Sequence, residues 1–347
     1  MFFANASGGG ILPAGRKKNR PFGGKFVILH PEMESMDIMY MRRCLQLARN
    51  GLGRTRPNPL VGCVVVKEGR VVSEGYHQCH GGNHAERNAL LRPGADFRDA
   101  TLYVNLEPCS HHGLTPPCAD LIVEKGIRRV VCCNDDPNPL VAGRGFRKLE
   151  EVGIGVARHL LEAEGRHLNR RFFTFMEQRR PYVILKWAQS ADGFMAPDGD
   201  GAYWLSTQRQ NRLNHRWRTE EAAILVGSGT YLRDHPSLTA RHHLGPQPQP
   251  VVLDRRHRIH DLPPHWLRLD TPTVADTLRA LHDQRLQSVI VEGGRQILDA
   301  FLASGLYDEV RILQSPSVLS AGLPAPQPPA GKPVWIAMGH LAETTVP

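Results

Sequence analysis

The residues His84-Ala85-Glu86, answered by Pro108-Cys109 and by Cys118, bring together side chains that can do metal chemistry. One imidazole and two thiolates suit Zn²⁺. Three protein ligands with the fourth position open is the catalytic rather than the structural arrangement of zinc. A zinc ion so held lowers the pKa of bound water toward about 7 and supplies a nucleophile at neutral pH. Glu86 follows the histidine by two positions, close to the metal without being needed as a ligand. There it can move protons between that water and a substrate. Each residue alone is ordinary: a surface histidine, a solvated acid, a buried thiol. Their joint spacing carries the reading. Residues 110–117 must form a loop that returns Cys118 to Cys109.

The pattern H-x-E, then P-C and a second cysteine, is that of zinc deaminases, with a longer step here between the cysteines. The longer phrases Asn83-His84-Ala85-Glu86 and Glu107-Pro108-Cys109-Ser110-His111-His112-Gly113-Leu114-Thr115-Pro116-Pro117-Cys118 closely resemble the deaminase half of the bifunctional riboflavin-biosynthesis deaminase–reductases. Residues 57–62, 75–78, 136–139 and 143–145 continue that likeness. Residues 186–193, 204–206 and 234–241 resemble the reductase half. The resemblance runs from about residue 36 to about residue 313.

It implies two α/β domains. The first would be a cytidine-deaminase-like three-layer α/β/α domain over 36–178, the second a dihydrofolate-reductase-like domain over 179–347. The implied cofactors are Zn²⁺ and NADPH. The implied substrate is a small phosphoribosyl pyrimidine, deaminated first and then reduced at its ribosyl chain. Asn58 and Glu107 are expected near the base, since Asn58 offers both a donor and an acceptor. His77, His111 and His112 are candidates for the phosphate or ribose side. In the second half the resemblance places Ala188, Trp204, Thr230, Asp234, Gly294, Arg295, Gln296, Ile297, Leu298, Asp299 and Ala300 on NADPH. It places Arg218, Leu238, Arg241 and Glu292 on the substrate, with Ala202 where the family often has serine. Two arginines suit bidentate phosphate binding.

Composition bounds the alternatives. A chain of 347 residues, 41% hydrophobic and 22% charged, is an ordinary two-domain length and composition. No apolar run reaches a membrane span or a signal-peptide core, so a cytoplasmic protein with no membrane partner is expected. The net charge of +9 includes Arg16, Lys17, Lys18, Arg20 and Lys25 in the first 31 residues, a stretch without acids. The basic balance is therefore partly a tail effect and argues weakly for nucleic acid. No aromatic–basic stacking platform supports a nucleic-acid deaminase either. Residues 1–35, Gly-rich and without periodicity, read as a disordered extension. Cys44, Cys63, Cys132 and Cys133 lie in apolar patterns and read as buried thiols. The pattern leaves room for a homo-oligomer.

The elements that must position these groups follow from periodicity. A helix is expected over 38–48, a hairpin over 61–76, and a helix starting at His84. Strand 101–106 precedes the cysteine loop. Helix 119–125, strand 129–132, helix 146–151 and strand 154–156 follow, then one long helix over 160–177. In the second half, strands at 182–187, 222–226, 251–253, 288–291 and 309–313 alternate with helices at 207–221, 273–283 and 295–303. Such alternation argues mainly parallel sheets covered on both faces. Glycine turns at 227–230 and 292–294 end two of the strands, where backbone amides can meet phosphate. Neither is a G-x-G-x-x-G, so a dinucleotide-binding Rossmann domain is not supported. The C-terminus looks short, with only residues 334–338 strand-like, which suggests a missing edge strand. An inactive reductase-like domain is the rival reading that Ala202 and this end motivate.

Overall fold

The computed structural model describes residues 31–113, 115–138, 141–199, 203–339 and 344–346. The expectations for residues 1–30 and for Ala202 lie outside them.

The first half is a five-stranded sheet between two helical layers. Its elements are α1 (Pro31–Ala48), β1 (Gly62–Lys67), β2 (Arg70–Tyr76), α2 (Ala85–Leu90), β3 (Thr101–Leu106), α3 (Cys118–Glu124), β4 (Arg129–Asn134), α4 (Arg144–Glu151) and β5 (Gly155–Ala157). Strand order is β2-β1-β3-β4-β5. Strand neighbours alternate faces. Cys63, Val65, Leu102, Val104, Val130 and Cys132 pack under α2, α3 and α4. Val64, Val66, Tyr103, Val131 and Cys133 pack against Tyr40, Met41 and Cys44 of α1. Burial on both faces explains why these strands read as continuous apolar runs. The parallel expectation holds for β3, β4 and β5 only, because β1 is antiparallel to both its neighbours. A short turn at Glu68-Gly69 can only return the chain antiparallel. Helix α1 also begins at Pro31, earlier than its apolar periodicity suggests.

The long helix expected over 160–177 is two, α5 (Glu162–Leu168) and α6 (Arg170–Gln178). Asn169 breaks it. Its buried amide accepts from the Leu60 N–H at 2.8 Å and donates to the Leu60 carbonyl at 2.9 Å. A tertiary pair of hydrogen bonds thus overrides helical continuity.

The second half holds β6 (Tyr182–Gln189), β7 (Phe194–Ala196), α7 (Gln208–Glu220), β8 (Ala223–Gly227), α8 (Ser228–Asp234), β9 (Gln249–Leu253), β10 (Leu267–Leu269), α9 (Val274–Asp283), β11 (Ser288–Val291), α10 (Arg295–Ser304), β12 (Glu309–Gln314), β13 (Leu323–Pro324), β14 (Val334–Met338) and β15 (Thr344–Val346). Eight strands run in the order β10-β9-β8-β11-β6-β12-β14-β15, and β7 pairs with β13 separately. All neighbours in the large sheet are parallel except β14 and β15. One face buries Val183, Leu185, Leu225, Val289 and Val291 against Leu278, Leu281, Leu298 and Phe301 of α9 and α10. Thr207 caps α7 in a reciprocal capping box with Gln210. The expected gap at the C-terminal edge is not there, since β15 covers β14. Strands β7, β10 and β13 escaped the sequence reading because two or three residues show no period. The segment after Gly227 is a helix of about two turns, not only a glycine turn.

Candidate active sites

The metal donors come from three elements that the core fixes. His84 is the N-cap of α2 with an extended backbone (φ −68°, ψ 164°), so its side chain stands clear of the helix. That helix lies tight on β2: a Cβ at Gly75 would sit 2.5 Å from the Ala85 carbonyl oxygen and 2.6 Å from the Ala89 nitrogen. Only glycine permits this approach. Cys118 opens α3, and Cys109 lies three residues past the end of β3, near the start of the loop. His84 Nδ1 lies 3.5 Å from Cys109 Sγ and 3.4 Å from Cys118 Sγ. One ligand atom of each lies within 4.8 Å of the other two. Zinc bonds of about 2.3 Å to sulfur and about 2.0 Å to nitrogen at tetrahedral angles put S and N about 3.6 Å apart. The donor set therefore fits Zn²⁺. Exposed Cys79 does not join it.

A hydrogen bond from Cys118 holds the Cys109 thiol down at about 4, while the same contact pushes Cys118 well up. Burial pushes the Glu86 carboxyl up to about 7, against the opposing pull of His84. Glu86 is only 3% exposed. A carboxyl poised near neutrality can both take and give a proton at pH 7.

Behind the donors, His77 Nδ1 meets the Asn83 carbonyl at 2.9 Å and Nε2 meets Asn58 Nδ2 at 3.1 Å. The carbonyl requires a proton on Nδ1, so Nε2 accepts from Asn58. Burial lowers the His77 pKa and keeps the ring neutral. The ring packs edge-on to His84 at 5.5 Å. His77 is thus a buried link between Asn58 and the metal side, whereas His111 and His112 are exposed. Glu107 sits differently from the expectation of a base contact. Its carboxylate accepts from the backbone N–H groups of Gly143 at 2.9 Å, Gly145 at 3.0 Å and Asp136 at 3.4 Å. It clamps the loop before α4. Burial raises Asp136 to about 7.

In the second half, the residues expected at a ligand gather at the carboxyl ends of parallel strands, the usual position in open α/β sheets. Ala188 ends β6, Thr230 and Asp234 lie on α8 after β8, and Glu292 follows β11. The Gly294 N–H donates to Thr230 Oγ1 at 2.9 Å, tying α10 to α8. Trp204 is 73% exposed. Arg295 pairs with Asp299 at 2.7 Å and donates to the Pro324 carbonyl. Gln296 and Ala300 are exposed, while Ile297 packs on the core. Leu298 and Leu238 turn their side chains into apolar cores, which leaves their main chain to meet a ligand.

Arg218 is placed differently from the expectation of a free phosphate fork. Its fork is taken by Glu292, with Nε at 3.2 Å and Nη2 at 2.8 Å, and Nη1 donates to the Thr239 carbonyl. It does not stand free beside Arg241 as one of two phosphate forks. Arg241 is exposed and donates to Ser237 Oγ at 2.8 Å. Lys186 and His215 were missed. Lys186 Nζ lies 3.8 Å from Glu292, and burial lowers its pKa. The signal was a lysine inside an otherwise apolar strand. Burial would raise Glu292, but the Arg218 and Lys186 charges outweigh it and hold it at about 2. Burial, then the Arg218 and His242 charges, lowers His215 to about 4.

Comparison with known proteins agrees with this two-site geometry. The cytidine and deoxycytidylate deaminase zinc-binding region matches residues 34–134, and the RibD C-terminal domain matches residues 181–331. The riboflavin biosynthesis protein RibD of Actinobacillus pleuropneumoniae is 38% identical, over 82% of this chain and 84% of its own length. The chain belongs to the RibD family. The RibD of Aquifex aeolicus is 37% identical over 84% of this chain and 90% of its own. Among solved structures, the chain is similar to a diaminohydroxyphosphoribosylaminopyrimidine deaminase/5-amino-6-(5-phosphoribosylamino)uracil reductase from Thermotoga maritima. That match has 38% identity and a TM-score of 0.78, and covers 84% of this chain and 90% of that one. Acinetobacter baumannii RibD matches at 33% identity with a TM-score of 0.79 and the same coverage. As a RibD protein, the chain is a bifunctional deaminase and reductase of riboflavin biosynthesis. Its cofactors are zinc and a nicotinamide. Among the described residues no helix is long and apolar enough to cross a membrane.

Proposed function

We propose that the first domain hydrolyses the 2-amino group from 2,5-diamino-6-(5-phosphoribosylamino)pyrimidin-4-one. The second domain then reduces the ribosyl chain of 5-amino-6-(5-phosphoribosylamino)uracil to ribityl with NADPH, in the cytoplasm. The observation that carries this is the convergence of His84, Cys109 and Cys118 beside buried Glu86. The domains would span 36–178 and 179–347, a division supported by the left-handed Arg179 between α6 and β6.

His84, Cys109 and Cys118 would hold zinc, which supplies an activated water at neutral pH. Glu86 would accept a proton of that water and pass it to the ring nitrogen as the water oxygen bonds to the carbon bearing the amine. It would then move the remaining hydroxyl proton to the amine, which leaves as ammonia as its C–N bond breaks and the C=O forms. Asn58, held by His77, presents its amide to the pyrimidine. In the reductase domain, Arg241 is the exposed cation suited to the substrate phosphate. Glu292, ionised and braced by Arg218 and Lys186, faces the ribosyl side. Thr230, Asp234 and the segment 294–300 line the cofactor side, with Trp204 and Ala188. Ala202 belongs to the substrate set on the family likeness alone.

The test is an assay of the purified protein with the diamino-pyrimidine phosphate, with and without NADPH. Ammonia release in both, and ribityl product only with NADPH, is the expected result. Ammonia release without any ribityl product when NADPH is present would leave a deaminase with an idle second domain. The same assay with NADH decides the choice of nicotinamide.

A further inference from the structure

The segment that carries Asn58 is gripped from the other domain. Gln287, one residue before β11, donates from Nε2 to the Pro57 carbonyl at 2.9 Å, and is itself 6% exposed. Arg56 donates to the Glu221 carbonyl and, at 3.2 Å, to the Gln247 carbonyl. The Glu221 carboxylate in turn takes both arms of Arg171 from α6, with Nε at 2.7 Å. Three residues before Arg56, Gly53 lies against α7. A Cβ there would fall 2.2 Å from the Thr219 carbonyl oxygen, and the backbone has φ +79°. The two domains therefore touch through main chain, at a position only glycine tolerates. Within its own domain the segment is held by Thr55, whose carbonyl accepts from the Asn58 N–H at 2.8 Å. Asn58 then reaches His77, and through it the metal side.

We infer that the reductase domain completes the deaminase pocket: Gln287 is a positioning residue that fixes Pro57 and so sets the aim of Asn58. The inference rests on the reading of Asn58 as a pyrimidine contact. The Pro57 carbonyl is half-buried, and leaving it without its donor is unfavourable. Removing the donor frees Pro57 to turn outward and Asn58 with it. The effect falls on substrate binding, since Glu86 and the three metal donors are held by other elements. It also links the two sites through one strand. Gln287 and Glu292 bracket β11, so a span of about 16 Å separates the deaminase loop from the reductase carboxylate.

The test compares Gln287→Met, close in volume and without a donor, with Asn58→Ala, each in the full chain. Gln287→Met should raise the deaminase KM roughly 5- to 10-fold, the size expected for one hydrogen bond. Deaminase kcat should change little, and reductase KM and zinc content should stay at wild-type values. Asn58→Ala should raise the same KM at least as much. A normal deaminase KM in Gln287→Met with a raised one in Asn58→Ala overturns the inference and leaves the Asn58 reading intact. A normal KM in Asn58→Ala overturns both. If Gln287→Met loses reductase activity as well, the residue is merely structural and the inference fails.

Discussion

The two halves position their polar groups by opposite means. In the first, three donors from separate elements converge on a point, and the core beneath them is apolar. The nearest side-chain partners of His84 Nδ1 among the described residues are the Cys109 and Cys118 sulfurs, a donor set that a cation would complete. In the second, the buried carboxylates are already paired with cations. Arg218 and Lys186 neutralise Glu292, and Arg171 and Arg311 surround Glu221. A buried ion pair adds little net stability, but breaking one is costly. The first half therefore depends on a metal it must acquire, while the second depends on charges it already contains. The difference predicts where each half is fragile.

Cys109→Ser should give the largest effect. It removes a thiolate that nothing else replaces, so zinc and ammonia release should both be lost while reduction of supplied deaminated intermediate persists. Metal analysis showing one tightly held zinc in that variant would make the ligand set wrong. Glu86→Gln should lower deamination by at least about 10²-fold with zinc retained. Ammonia release at the wild-type rate would remove Glu86 from proton transfer. Arg218→Ala strips Glu292 of its bidentate partner and should destabilise the second half by about 3–5 kcal/mol. Hydrogen exchange localises that loss, and an unchanged protection pattern on β11 and α7 would mean the pair is idle. Arg241→Ala should weaken the phosphorylated substrate by about 1.5–3 kcal/mol and leave NADPH binding unchanged. Loss of NADPH affinity with normal substrate affinity would move Arg241 to the cofactor side.

Acid should separate the halves more gently. Glu221 and Glu292 are held at about 2 against an ordinary 4.5, and His215 at about 4 against 6.5. In each case the unfolded chain binds more protons over the intervening range, so stability falls as pH falls. The His215 contribution fades from pH 6.5 toward 4, and the carboxylate contributions from 4.5 toward 2. Exchange protection in the second half should fall through these windows. Constant protection from pH 7 down to 3 would contradict the pairing.

The same contrast explains what the sequence made legible. Spacing exposes donors that converge near one another in chain order, and both-face burial exposes strands such as β3 and β11. Neither reveals a partner 74 positions away, so Arg218 looked like a free fork rather than the brace of Glu292. Glu107 looked like a substrate contact because an acid beside a motif invites that reading. The loop's backbone N–H groups had the stronger claim on it. Asn169 looked helical because its bonds to Leu60 are tertiary. The fold class followed from alternation, but the antiparallel hairpin edge depended on a turn too short for a crossover.

The contact between Gln287 and Pro57 also sets a schedule. The two residues are 230 positions apart. Chains emerge from the ribosome at about 5–20 residues per second, so roughly 10–50 s pass between the two. During that time the first sheet and its three metal donors have already been made. The nascent chain can take up its metal well before the loop beside it has been anchored. On the inference above, the first site would reach its full substrate affinity only when the second domain has been synthesised.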